Sequence, residues 1–142
     1  MIIRDMVRED IPEVTAIEKQ CFSQPWSEQG FMDGMNAPAV FLVAEEEAVT
    51  GYIGMYVSAP EGEITNVAVA KSARRRGCGK ALICAMQEWA SEHGITRIVL
   101  EVRSSNVAAI RLYEKMGFVK LGVRRNFYQF PEEDADIMEF TQ

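Results

Sequence analysis

The chain has 142 residues, a length suited to one compact domain around one apolar core. Its hydrophobic fraction of 48% and charged fraction of 25% are those of an ordinary globular protein, and no run approaches the ~18 consecutive apolar residues of a membrane span. A formal charge of -6 argues against general nucleic-acid affinity, which needs a basic face to displace counterions.

The N-terminus, MIIRDMVRED, breaks up its apolar residues with charges before a signal-peptide core can form, which points to the cytoplasm. Cys21, Cys78 and Cys84 are odd in number and lack paired C-x-x-C spacing, so neither a disulfide framework nor a structural metal is expected. No repeat or Pro/Gly/Ser linker divides the chain, so residues 1-142 are read as one domain.

In chain order, a short strand at Ile2 to Arg4 precedes a helix that Asp10 can cap, with Pro12 in its first turn and Val14, Ile17 and Cys21 on one face. That helix ends before Pro25. Ser27 can cap a second, short helix, with Trp26 and Phe31 at the spacing of a hydrophobic staple. Three β-rich runs follow, Val40 to Glu45, Val49 to Ser58 and Glu63 to Ala70, and the charged or turn residues between them predict an antiparallel meander. From Gly77 to His93 the period becomes helical, with Leu82, Ala85, Met86 and Trp89 on one stripe and Gly94 as the stop. His93, at that helix's C-terminal end, is read as structural.

A strand at Arg97 to Arg103 comes next, and then a helix capped by Asn106 that carries Ala109, Leu112, Tyr113 and Met116 and is closed by Gly117. The runs Phe118 to Tyr128 and Ala135 to Phe140 predict a terminal strand pair. The expected fold is α/β: a mixed, mostly antiparallel central sheet with helices on both faces.

The strongest local signal is Arg74-Arg75-Arg76-Gly77-Cys78-Gly79-Lys80, placed between a strand and a long helix. Lys71 adds to the positive charge, and no acid interrupts it. Glycines let the backbone approach a ligand, while the free N-H groups and dipole of the first helical turn favour an anion. An exposed basic loop is the plain alternative. The spacing matches neither G-x-x-x-x-G-K-[ST] nor G-x-G-x-x-G, which disfavours a nucleotide-hydrolysing or dinucleotide-binding site.

Taken together, Thr65-Asn66-Val67-Ala68-Val69, the loop R-R-R-G-C-G-K, Leu100-Glu101-Val102 and N-x-x-A-x-x-L-Y-x-x-x-G-F at Asn106 to Phe118 resemble the GCN5-related N-acetyltransferase (GNAT) superfamily. The resemblance covers nearly the whole chain in order. Within it, L-E-V-R-x-S-N at 100 to 106, F-x-x-P-W-S at 22 to 27, R-R-N-F-Y at 124 to 128 and E-D-A-D-I-M at 133 to 138 are similar to the RimI type. Those enzymes acetylate the N-terminal alanine of the eighteenth small-subunit ribosomal protein.

The resemblance implies acetyl-CoA as co-substrate, with Val67, Ala68 and Val69 pairing to its pantetheine arm. It implies that Arg75, Arg76, Gly77, Cys78, Gly79 and Lys80 hold the pyrophosphate and that Asn106 also touches acetyl-CoA. Trp26, Arg124 and Tyr128 would flank the acceptor peptide. Two residues depart from the pattern: Cys78 replaces an aliphatic residue, placing a thiol near the thioester, and Phe127 replaces a common tyrosine. The implied partners are CoA and a ribosomal-protein N-terminal peptide, with no direct nucleic acid, no membrane and no metal.

Amine acetylation needs a neutral amine, a route for its proton, and a donor to the departing thiolate. Glu101, near the end of its strand, is the candidate base, and Tyr113, on the core stripe of its helix, is the candidate acid. The plain readings are a surface carboxylate, paired with Arg103, and a packing aromatic. An α-amino group titrates near ~8 against ~10.4 for lysine, so an N-terminal acceptor asks less of Glu101. Other protein N-termini, lysines or a small amine remain as acceptors on the same fold, as does a non-catalytic acyl-CoA-binding module.

Overall fold

The computed structural model describes residues 1-142. Its centre is a seven-stranded sheet of β1 (Ile2–Asp5), β2 (Ala39–Glu45), β3 (Val49–Ser58), β4 (Glu61–Val69), β5 (Arg97–Arg103), β6 (Val119–Tyr128) and β7 (Glu133–Thr141). The spatial order is β1-β2-β3-β4-β5-β7-β6, and every neighbouring pair is antiparallel except β4 with β5. The expected meander is thus β2-β3-β4. The terminal strand pair is also present, with β7 inserted between β5 and β6.

Side-chain alternation along each strand feeds two cores, one on each face. On one face, α1 (Ile11–Cys21) and α2 (Glu28–Met35) bury Val14, Ile17 and Phe31 against Phe41, Val43, Tyr52 and Ala68. On the other, α3 (Cys78–Glu92) and α4 (Val107–Lys115) bury Leu82, Met86 and Tyr113 against Leu42, Ile53, Leu100 and Val102. Helices therefore cover both faces, as the periodicity predicts.

Local signals set most of the boundaries. Ser27 Oγ accepts from the Gly30 N-H at 3.1 Å, and the Trp26 and Phe31 rings meet at 5.3 Å, which forms the cap and staple that start α2. Asn106 Oδ1 likewise accepts from the Ala109 N-H to start α4. Gly94 and Gly117 follow their helices with φ of +74° and +94°. His93 stacks on Trp89 at 4.0 Å, in keeping with a structural role.

Asp10 departs from expectation. It precedes α1, but its carboxylate makes no bond to that helix. It accepts instead from the Val7 N-H and, through both oxygens at 2.8 Å, from Arg4. A bidentate guanidinium outcompetes a neutral N-H for a carboxylate, and Arg4 holds the Asp10 carboxyl below its usual range.

Candidate active site

The parallel pair β4-β5 is short. It runs from Glu61 opposite Arg97 to Ile64 opposite Leu100 and ends there. At that point β4 carries a bulge: Gly54 pairs with Asn66 and Met55 with Ile64, leaving Thr65 as the extra residue. A bulge bends and twists its strand, so β4 and β5 diverge and the sheet splits at its middle. A Cβ on Gly54 would come within 2.6 Å of the Phe41 ring and 2.9 Å of Thr65 Oγ1, so a side chain at this position opposite the bulge would displace one or both.

A cleft of about 540 Å³ fills the split. Six of the residues singled out from sequence line it: Trp26, Val67, Glu101, Asn106, Tyr113 and Tyr128. Glu101 belongs to the face of β5 opposite Leu100 and Val102, whereas Tyr113 lies in the core beneath Leu100 and Val102. An intact sheet would keep two such groups apart. The divergence of β4 from β5 is what opens one space to both.

Glu101 keeps 21% of its side-chain exposure, and its Oε1 lies 3.5 Å from Arg124 Nη1. Burial pushes its carboxyl above the usual range; Arg124 opposes that shift and the nearby Glu63 reinforces it. The expected partner, Arg103, is committed elsewhere. It donates to Glu133 at 3.2 Å and to the Pro131 and Gln129 carbonyls, and its guanidinium sits 4.4 Å from the Tyr128 ring centroid.

Tyr113 is buried, its ring 5.6 Å from that of Phe118, and burial followed by the neighbouring Tyr128 drives its phenol well above the ordinary range. The Tyr128 phenol is pushed up to about 12, chiefly by burial and then by Glu101. Both hydroxyls are therefore protonated, and so available as proton donors, across the neutral range. Arg124 stands at the rim through its pair with Glu101, and Phe127, beside it, is exposed.

The basic loop lies beyond the cleft lining. Arg75 and Gly77 both adopt left-handed backbone, at φ +66° and +79°, and α3 begins at Cys78. The first bonded amide after Gly77 is that of Ala81, which donates to the Gly77 carbonyl. The N-H groups of Cys78, Gly79 and Lys80 thus point out of the helix start without helical acceptors. Arg74 is turned to the Val69 carbonyl and to Cys21, and Arg76 pairs with Glu46 at 3.4 Å. Arg75 and Lys80 are exposed. This geometry suits a diphosphate.

Ala68 and Val69 are outside the lining too: Ala68 is buried toward α1 and Val69 packs toward α3. Beyond Ile64, β4 has no β5 neighbour, which leaves a strand edge facing the split. The thiol expected beside a thioester is corrected by the structure. Cys78 is only 3% exposed, its Sγ is 3.8 Å from Thr50 Oγ1, and it occupies the space a Cβ on Gly51 would need. Burial pushes that thiol up. As the first residue of an amphipathic helix it takes the core-facing side, and only its backbone faces the loop.

Among the lining residues to which the sequence assigns no part in the site are Glu18, Glu63 and Thr65. Glu18 carried a signal, since an acid at position 18 interrupts the apolar stripe of Val14, Ile17 and Cys21. It is 1% exposed and accepts from Tyr52 Oη at 2.5 Å, the Trp26 N-H at 3.0 Å and Asn66 Nδ2 at 3.1 Å. Burial raises its carboxyl, while the Tyr52 and Trp26 donors oppose that shift. Thr65 Oγ1 is buried without a partner, and nothing in the sequence marks the bulge that places it there.

The model of the acetyltransferase (GNAT) family matches residues 9–118. A Bacillus subtilis (strain 168) protein, provisionally named a [ribosomal protein bS18]-alanine N-acetyltransferase, is 36% identical over 98% of this chain and 94% of its own. The [ribosomal protein bS18]-alanine N-acetyltransferase of Escherichia coli (strain K12) is 33% identical over 91% of this chain and 89% of its own. The crystal structure of the ribosomal-protein-S18-alanine N-acetyltransferase from Escherichia coli superposes with a TM-score of 0.92 at 31% identity, covering 99% of this chain and 92% of that one.

Proposed function

The chain belongs to the acetyltransferase (GNAT) family, and from that premise we propose that it transfers an acetyl group from acetyl-CoA to the N-terminal alanine of the eighteenth small-subunit ribosomal protein. The whole chain, residues 1-142, serves as the catalytic domain. The observation that carries the reading is the split sheet, which exposes a half-buried carboxylate and a buried phenol to one cleft. The activity for which both relatives are named supports the acceptor.

The residues divide the work. Arg75 to Lys80 bind the pyrophosphate through the open N-H groups and charge of the α3 start, and the free edge of β4 at Val67 to Val69 pairs with the pantetheine amides. The exposed side chain of Asn106 touches the arm from the other wall. Trp26, Arg124 and Tyr128 frame the acceptor. Acetyl-CoA, when bound, supplies the acetyl thioester.

Glu101 takes a proton from the acceptor amine as the amide bond forms, directly or through water, and Tyr113 gives one to the sulfur as the carbon-sulfur bond breaks. The raised carboxyl of Glu101 brings its basicity closer to that of an α-amino group near ~8, which makes the transfer less uphill. Tyr113, protonated and without a protein acceptor, has its proton to give.

The test is turnover of a hexapeptide beginning with alanine, read by mass spectrometry and by release of free CoA thiol. Acetylation at the α-amine alone is expected. Modification of an internal lysine instead would replace this acceptor with another on the same fold.

A further inference from the structure

Glu18 is placed where a buried acid is hardest to explain by packing. An unpaired carboxylate in an apolar interior is costly, and natural cores tolerate one only when donors satisfy it. Here the donors come from three separate elements. Tyr52 belongs to β3, Asn66 is the residue after the Thr65 bulge on β4, and the Trp26 amide belongs to the segment Phe22 to Ser27 that joins α1 to α2.

That joining segment lacks regular structure between Phe22 and Ser27 and contributes Phe22, Ser23, Gln24 and Trp26 to the cleft wall. Its backbone is tied to the body of the sheet by the Trp26 amide, and the tie ends on the carboxylate that also grips Asn66. No salt bridge involves Glu18, which is held by three neutral donors alone. An aliphatic residue here would leave the Trp26 amide and the Asn66 side chain without their acceptor, so the carboxylate serves to join these segments rather than to fill space.

We infer, on the basis of the acetyltransferase reading above, that Glu18 is a positioning residue for the acceptor: it fixes the Phe22 to Ser27 wall at a set distance from β4 at the bulge. The amine is then delivered between Glu101 and the strand edge, and Glu18 itself touches neither substrate.

The experiment compares Glu18→Ala, Glu18→Gln and the control Val14→Ala, a buried residue of the same helix outside the cleft. Hydrogen bonds to charged acceptors correspond to roughly 10- to 100-fold. Glu18→Ala should therefore raise the peptide KM by about tenfold or more, with the acetyl-CoA KM within about twofold of wild type. Glu18→Gln keeps an oxygen for the Trp26 amide and Asn66 and should recover most of the loss. Val14→Ala should lower Tm and leave both constants alone.

Equal changes in both KM values, no change, or a Val14→Ala variant that reproduces the peptide defect would overturn the inference. If Glu18→Ala does not fold, Asn66→Ala takes its place, with the same split expected at about threefold for one lost bond. Wild-type turnover is measured first, and its absence with an alanine peptide would sink the acceptor reading alone. The Glu18 inference is then judged by hydrogen exchange at the Trp26 amide, slow in wild type and at least about tenfold faster in Glu18→Ala, where that amide loses its acceptor. An unchanged exchange rate overturns it.

Discussion

Substituting Glu101 with glutamine separates chemistry from stability, because the structure predicts very different sizes for the two effects. Glu101 has one charged contact, at 3.5 Å to an Arg124 side chain that is 58% exposed. Exposed pairs of this kind are worth about 0-1 kcal/mol. Losing the charge should therefore move Tm very little, and the hydrated guanidinium loses nothing it cannot recover from water. Loss of a general base costs roughly 10²- to 10⁴-fold, or about 2.7-5.4 kcal/mol of barrier.

The assay is release of CoA thiol from acetyl-CoA and an alanine hexapeptide across pH, with acetyl-CoA affinity measured by calorimetry. The wild-type rate should rise with pH as the carboxylate forms. Arg124 holds the Glu101 carboxyl down against burial, so Arg124→Gln should move that rising limb to higher pH, and added salt should shrink the difference. Glu101→Gln should lack the limb and regain rate only as alkali supplies neutral amine, up to the α-amino pKa near ~8. A Glu101→Gln enzyme with near wild-type kcat at pH 7 would refute the assignment and leave reactant positioning to carry the catalysis.

Tyr113→Phe keeps the ring against Phe118 and removes a hydroxyl with no protein partner, so Tm should hold while kcat falls. That defect should persist at high pH and shrink with acyl donors whose thiols are more acidic, and steady-state rates with a donor series check it. Gly77→Asp forces a side chain onto a φ of +79° and adds negative charge at the open amides of α3. Calorimetry should show weaker acetyl-CoA binding, and an unchanged affinity in the folded variant would remove the loop from the site. Trp26→Ala strips a cleft wall and should raise the peptide KM more than the acetyl-CoA KM. Equal changes would reduce Trp26 to its staple with Phe31.

The sequence was most readable where a single local rule decides the structure. Ser27 and Asn106 announce their caps, the Leu82 stripe announces α3, and alternation announces β2 to β4. It was least readable where several chain segments compete for one group. Asp10 has the position of a cap, but Arg4 takes its carboxylate, and Arg103 is drawn to the Gln129 and Pro131 carbonyls rather than to Glu101. Cys78 shows the same limit in another form: the loop pattern marks the start of α3, while the helical stripe decides that its thiol is buried.

The bulge at Thr65 leaves no mark in composition or period, yet it decides the site. Were β4 to follow β5 past Ile64, backbone hydrogen bonds would close the sheet over Tyr113 and leave Glu101 facing solvent on the other side. The two groups would then be the surface carboxylate and packing aromatic that their plain readings describe. Their chemical meaning depends on one extra residue in one strand, on the glycine opposite that makes room for it, and on the Glu18 tie to Asn66 beside it. Whether a strand carboxylate and a helical phenol share one cleft in this fold is therefore decided by strand register.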